Sequence, residues 1–244
     1  MSVYEEPIFL GSGESCLVVE FADEIDRGAN MRLQALRRAI AARQPHGVRE
    51  LVATYRSLAI HFDPLVLEHG DVERIARAAL ESSGRGGEEK GRVVMLPVLY
   101  GGGHGPDMEN VCAHTGLSEE EVVRRHTGRD VYCFMLGFMP GFPYLGGMDE
   151  SLATPRLKDP RKLIPAGSIG IADKQTGGYP FDSPGGWQLI GRTPVKLYDP
   201  RKSNPFLLDA GDFVRFRALG GADEYALIAA REAEGTYEPE VVPQ

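Results

Sequence analysis

None of the six histidines lies after His126, so nearly half of this 244-residue chain has no imidazole to serve as a base. The three cysteines, Cys16, Cys112 and Cys133, form no C-x-x-C pair and leave an odd thiol over. That usage speaks against a disulfide framework and makes a reducing cytoplasm the expected setting. No apolar run is long enough to span a bilayer, and the N-terminus carries no basic-then-apolar leader pattern, so no membrane role is expected. Acidic residues outnumber basic ones by 35 to 27, and the net charge of −8 argues against nucleic acid as a partner. The run Gly101-Gly102-Gly103-His104-Gly105-Pro106 lacks the Gly-Lys-Ser/Thr ending of a phosphate loop. A mobile turn is expected there, and no nucleotide site. Cys112 and His114 stand two apart on a predicted helix and cannot share a face, so no metal site is expected.

What is present is ordinary for globular protein: 42% hydrophobic and 25% charged residues, enough for one large core or two modest ones. Residues 17–21 form a short β-rich run. Asn30 is placed as the cap of a helix whose Leu33, Leu36 and Ile40 share one face and which ends before Pro45-His46-Gly47. Residues 48–54 read as a strand, and Leu58, Ile60 and Phe62 alternate with Ala59 and His61 as in a half-buried strand. Asp71 is placed as the cap of a second helix with the stripe Val72, Ile75, Ala76, Ala79 and Leu80. With a further strand at 92–98, the order is β-α-β-β-α-β, which predicts a ferredoxin-like layer. Residues 82–91, rich in Gly, Ser and Glu, offer nothing to bury and read as a linker. The expected domains are therefore 1–90 and 91–244.

Residues 107–126 read as two short helices around Thr115-Gly116-Leu117, with Ser118 and Glu121 as a capping box. A DNA-reading helix pair is disfavoured, because Glu119, Glu120 and Glu121 would face phosphates. Beyond Asp130 the pattern changes to short strands, at 131–136, 168–172, 187–191, 195–198 and 213–217. Gly and Pro punctuate the intervals, as in a closed or nearly closed barrel. Asp209-Ala210-Gly211-Asp212 is a turn, and the tail from Glu232 is expected to be loosely attached. The overall class is α+β.

The densest stretch is Leu136-Gly137-Phe138-Met139-Pro140-Gly141-Phe142-Pro143-Tyr144-Leu145-Gly146-Gly147. It is too broken for a helix and too apolar for a solvated linker, so a packed, irregular wall is expected. Phe142, Tyr144 and Trp187 are placed as walls of an apolar cleft. Gln175, Tyr179 and Ser183 are placed beside it as readers of an amide or carbonyl edge. Arg156, Lys162 and Arg192 are candidates for holding a carboxylate. Scaffold readings compete, since Tyr and Trp are often core residues and a lone basic residue is often a solvated charge. No catalytic residue is assigned.

Three further phrases complete a specific set: Ile164-Pro165-Ala166-Gly167-Ser168-Ile169-Gly170-Ile171-Ala172, Gln175-Thr176-Gly177-Gly178-Tyr179-Pro180, and Ser183-Pro184-Gly185-Gly186-Trp187-Gln188-Leu189-Ile190-Gly191-Arg192-Thr193-Pro194. With the densest stretch, they resemble one family, known variously as the 5-oxoprolinase B component, allophanate hydrolase subunit 1, or the sensor-kinase inhibitor KipI. The module also forms half of the carboxyltransferase region of urea carboxylase. The resemblance implies an N-terminal α/β domain followed by a cyclophilin-like β-barrel. It also implies a cleft shared with a sister cyclophilin-like subunit, and a third subunit of another fold. The implied activity is the ATP-dependent conversion of 5-oxo-L-proline to L-glutamate, with ATP used by the complex and no cofactor held by this chain alone. Two other roles the family allows are inhibition of a sensor histidine kinase and half of a urea or allophanate-type carboxyltransferase. The sequence departs from the family pattern at Gly178, where a β-branched residue is usual, and at Asp173-Lys174, where small Gly residues are usual. Both departures are expected to border the cleft.

Overall fold

Residues 2–83 and 91–243 are described by the computed structural model, which divides into two units, Met1–Glu89 and Lys90–Gln244. Of the predicted linker at 82–91, residues 84–90 lie outside the described residues, and Ser82 and Ser83 belong instead to the end of a helix.

In the first unit the elements are β1 (Val3–Gly11), β2 (Cys16–Ala22), α1 (Arg27–Arg43), β3 (Val48–Ala53), β4 (Ser57–Phe62) and α2 (His69–Ser83). The strands form an antiparallel sheet in the order β1-β2-β4-β3. Alternation decides which face is covered. Leu17, Val19 and Phe21 of β2 and Leu58, Ile60 and Phe62 of β4 bury together with Leu33, Leu36 and Ile40 of α1 and Val72, Ala76 and Ala79 of α2. The helices thus lie on one face of the sheet, and the ferredoxin-like layer is present in permuted form. Its fourth strand is β1, beside β2, and the expectation of a strand from 92–98 is corrected. That segment belongs to the second unit. Val93, Val94, Leu96 and Val98 are all buried, on both faces of their strand, whereas β1 is half-exposed as a sheet edge requires. Two caps also differ. Asp26 caps α1 by accepting from the Ala29 amide (2.7 Å), while Asn30 is buried and donates its side-chain amide to the carbonyls of Thr54 and Tyr55 (3.0 and 2.9 Å). Asp71 sits inside the first turn of α2 and reaches back to accept from the Glu68 amide (2.9 Å).

The second unit runs β5 (Arg92–Tyr100), a short 3-10 helix (Gly102–His104), α3 (Met108–Thr115), α4 (Glu119–Thr127), β6 (Val131–Leu136), β7 (Pro143–Gly146), β8 (Arg161–Ile164), β9 (Ser168–Ala172), β10 (Gln175–Gly178), β11 (Ser183–Gly185), β12 (Gln188–Arg192), β13 (Phe213–Ala218), α5 (Ala222–Glu234) and β14 (Val241–Pro243). Seven strands close a ring in the order β12-β9-β10-β7-β6-β13-β5, shut by Leu99 and Tyr100 of β5 pairing with Arg192 and Gly191 of β12. β13 runs parallel to β5, β14 adds to the other edge of β5, and β8 and β11 form a separate ribbon. Val111 of α3 and Val122 of α4 pack into the barrel core, as expected for a helical pair on its surface. Ser118 accepts from the Glu121 amide (3.2 Å), but the Glu121 carboxylate turns to Arg124 and Arg125 (both 2.6 Å), so the capping box is half made.

Four expectations change here. The loop 101–106 is no mobile turn: the Gly101 amide donates to the Ile190 carbonyl (3.0 Å), and a Cβ on Gly105 would stand 2.1 Å from that oxygen. Residues 195–198 form no strand and supply only a bridge from Tyr198 to Phe206, because Thr193-Pro194 and Asp199-Pro200 bound a segment too short to propagate. The tail is held. Glu232 is buried in α5, the Met95 amide donates to the Glu240 carbonyl (2.9 Å), and β14 pairs with β5. The densest stretch is regular in part, since β7 runs through it.

His126 explains how imidazole enters a barrel whose own strands have none. It is 1% exposed, stacked on Phe216 (centroids 4.3 Å apart), and bridges Tyr100 to Thr176. Thr176 donates its hydroxyl to the Gly170 carbonyl (3.0 Å) and so accepts from His126 Nε2–H (2.9 Å). His126 Nδ1 then accepts from the Tyr100 hydroxyl (2.7 Å), and a neutral ring satisfies every partner. Burial pushes the imidazole down to about 3. The unfolded chain takes up this proton near an ordinary value of about 6.5. The group's contribution is therefore full above that value and lost as pH falls toward 3. Urea unfolding followed from pH 7 to pH 4 should show wild type losing stability more steeply than His126→Gln, by about one proton taken up on unfolding. Parallel pH curves would contradict a buried neutral imidazole.

Candidate functional site

The hairpin from β6 to β7 begins the site. The Gly137 amide donates to the Phe142 carbonyl (3.1 Å), and the Met139 amide donates to the Gly137 carbonyl (2.6 Å). The second bond closes a three-residue turn around Phe138, whose φ of 63° is left-handed. A turn of this kind at a non-glycine residue is rare and costs about 1–3 kcal/mol. Gly141 is needed where the hairpin returns: its φ is 82°, and a Cβ would stand 2.8 Å from Tyr198 Cβ. The result leaves Phe138 63% exposed and Phe142 2% exposed, edge to face at 5.6 Å.

Phe142 is the hub of the aromatic cluster. Its ring meets Tyr144, Tyr179 and Trp187 at centroid distances of 5.0, 5.1 and 5.5 Å, all edge to face. Trp187 fits because Gly170 and Gly177 carry no side chain: a Cβ on them would come within 3.1 and 3.0 Å of it. Gly185 likewise leaves room for the Tyr179 hydroxyl, which a Cβ would meet at 2.5 Å. Beside these rings opens a cleft of about 290 Å³, lined by Phe138, Phe142, Tyr144, Tyr179, Trp187 and Arg156 together with Pro160 and the segment Pro184, Gly185 and Gly186.

Its electrostatics are simple. Burial pushes the Tyr179 phenol up to about 12, against a smaller pull from a Trp187 backbone hydrogen bond and from Arg156. Burial also raises Tyr144, again opposed by Arg156. Both phenols are neutral at pH 7. The Arg156 guanidinium lies 5.9 Å from the Trp187 ring centroid, and no carboxylate pairs with it among the described residues. Arg161 nearby is not free: it holds the buried Asp107 through two bonds (2.8 and 2.5 Å), and Asp107 also accepts from the Leu189 amide (2.7 Å). The cleft therefore offers apolar walls and one cation. Among the described residues no histidine, thiol or carboxylate lines it, so the lining offers walls and a charge to orient a small molecule but no group that titrates near neutrality. Among the described residues no cluster of His, Cys, Asp and Glu fits a metal ion.

Five residues placed from the sequence meet in this cleft: Phe142, Tyr144, Trp187, Tyr179 and Arg156. Four do not line it. Ser183 is 8% exposed on β11, next to Pro184, and its hydroxyl has no partner among the described residues. Gln175 opens β10 opposite Ala172. Arg192 donates to the Ala166 carbonyl (2.7 Å), and Lys162 is exposed on β8. Sequence reasoning misses Phe138, because sterics assign a left-handed turn position to its neighbour Gly137 rather than to an aromatic residue. The two departures from the family pattern do not border the cleft. A Cβ on Gly178 would stand 2.7 Å from Leu197 Cδ1 in the barrel core, and Asp173, at φ 50°, occupies the turn between β9 and β10.

Residues 7–208 match the family model described as the carboxyltransferase domain, subdomain C and D, and the chain belongs to that family. Two curated relatives are named as the B component of 5-oxoprolinase. The one from Bacillus subtilis (strain 168) is 40% identical over 88% of this chain and 93% of its own length. The one from Escherichia coli O157:H7 is 42% identical over 84% and 92%. The Kluyveromyces lactis urea carboxylase superposes on 100% of this chain with a TM-score of 0.75 at 18% identity, which is a likeness of fold. A further solved structure, 36% identical, superposes on 86% of this chain with a TM-score of 0.77. The chain spans 25% of the carboxylase and 41% of the second structure. No helix among the described residues is long and apolar enough to cross a membrane.

Replacing Phe138 with Gly sets relief of about 1–3 kcal/mol of backbone strain against about 0.5–1 kcal/mol of unfolded-chain entropy and about 0.5–1.5 kcal/mol of ring contact. Phe138→Gly is expected to unfold within about 1 kcal/mol of wild type, whereas Phe142→Ala should lose about 3–5 kcal/mol. Denaturant unfolding checks both, and a large loss in Phe138→Gly would mean that the turn is unstrained.

Proposed function

We propose that this chain is one subunit of an ATP-dependent 5-oxoprolinase, and that its cleft forms part of the site where 5-oxo-L-proline is bound before conversion to L-glutamate. The single observation that carries the reading is the lining of the cleft: aromatic walls with one unpaired guanidinium and no acid or base active near neutral pH. 5-Oxoproline is a small ring with a flat amide and one carboxylate, which suits those walls and Arg156. The names of the two bacterial relatives point the same way. Hydrolysis needs a proton acceptor and a way to use ATP, and the lining provides neither. In this reading the sister cyclophilin-like subunit and a third subunit complete the site, and ATP is used by the assembly. Tyr179 and Arg156 remain the substrate-binding candidates within the cleft, and Ser183 stands at its edge. Urea lacks the carboxylate that Arg156 would hold, which disfavours a urea carboxyltransferase.

The purified chain is expected to show no 5-oxoproline-dependent ATP hydrolysis, and activity should appear when the sister and third subunits are added. Turnover by this chain alone, with other subunits excluded by mass spectrometry, would overturn the reading. Failure of the complete set to turn over would favour the sensor-kinase inhibitor role.

A further inference from the structure

We propose that Phe138 and Arg156 form a two-point clamp, and that the clamp selects small flat rings carrying a carboxylate. The inference rests on the cleft being the substrate site and adds a residue and a selection rule to it. Phe138 is held by the turn bond from Met139 to Gly137 in a conformation an aromatic residue avoids, with its ring 63% exposed at the cleft. Strain of this kind persists where the surroundings over-determine it, and here they do. The Gly137 amide is bonded to Phe142, Gly141 is wedged against Tyr198, and Phe142 is locked among three rings. Phe138 and Trp187 both meet Phe142 edge to face, so two rings flank a common buried neighbour at the cleft. An exposed aromatic side chain with only two rotatable bonds gives a large, rigid contact area at low entropic cost. Arg156 supplies the second point. Its guanidinium lies over Trp187 without a carboxylate partner among the described residues, whereas Arg161 and Arg192 are bonded within the fold. An arginine that no carboxylate engages can take one through two parallel bonds.

Trp187 is the only tryptophan in the chain and lines the cleft, so its fluorescence reports occupancy directly. The full chain is titrated with 5-oxo-L-proline, with pyrrole-2-carboxylate (flat ring and carboxylate, no lactam) and with pyrrolidin-2-one (lactam, no carboxylate). Both carboxylates should change the emission saturably, and pyrrolidin-2-one should bind at least tenfold more weakly. Arg156→Ala should weaken both carboxylates at least tenfold and leave pyrrolidin-2-one unchanged, with Arg156→Lys between. Phe138→Ala should weaken all three severalfold, with circular dichroism showing each variant folded. Saturable binding of pyrrole-2-carboxylate through Arg156 without any response to 5-oxoproline would uphold the clamp and sink the 5-oxoprolinase reading. 5-Oxoproline bound equally well by wild type and Arg156→Ala would spare that reading and sink the clamp. The clamp also fails if no probe changes Trp187 emission, or if Phe138→Ala alters only assembly with a partner protein.

Discussion

Closing the ring is the constraint on which the second unit depends. β5 is paired along both edges, and the barrel shuts only where its last two residues meet β12. That meeting requires a missing side chain. A Cβ on Gly191 would stand 2.6 Å from Val98 Cγ1 and 2.9 Å from the Leu99 carbonyl oxygen. Once closed, the ring buries Val94, Leu96, Ile169, Ile171, Ile190 and Phe216 in one core. Phe142, Ile164, Tyr179, Trp187 and Leu189 form a second, smaller cluster, and the cleft opens beside it. Asp107 ties the two. It begins α3 and holds both Arg161 of β8 and the Leu189 amide of β12. The wall of the site is thus set by packed rings and a half-buried ion pair, with Phe138 and Arg156 exposed at its mouth.

The chemistry of the cleft follows from what those rings exclude. Burial keeps Tyr179 and Tyr144 protonated, and Arg156 is the one basic side chain in the lining. In the proposed reading such a lining selects a ligand by shape and negative charge. The one imidazole inside the barrel, His126, is fully bonded and held neutral, so it serves the core and takes no part in the cleft. The division of labour proposed above, between this chain and partner subunits, rests on that lining.

Much of this is legible from local pattern. Leu58, Ile60 and Phe62 alternate because one face of β4 is covered. Leu33, Leu36 and Ile40 repeat because one face of α1 is. Glycine marks the hairpins and close approaches, so Phe142, Tyr144 and Trp187 can be placed together from sequence. Pattern does not name partners. Residues 92–98 read as a strand in either unit, and only closure of the barrel assigns them to β5. Residues 195–198 have strand-like composition but no neighbour to pair with for their length. α5 is readable in principle, between Gly221 and the left-handed Gly235, with acids in its first turn, yet the Glu-rich composition that follows makes its end resemble a loose tail. Gln175, Lys162 and Arg192 fail as cleft residues because a run of turns does not show which way each side chain leaves it. Phe138 is invisible for the opposite reason: local propensity forbids the conformation that the tertiary structure imposes on it.

The central claim is that this aromatic cleft is where the ligand binds. A crystal structure of the chain with its sister subunit, soaked in 5-oxo-L-proline, tests it most directly. The account predicts an ordered ring against Phe138 and Trp187, with its carboxylate on the Arg156 guanidinium. An ordered ligand elsewhere, with this cleft empty at saturating concentration, would contradict it.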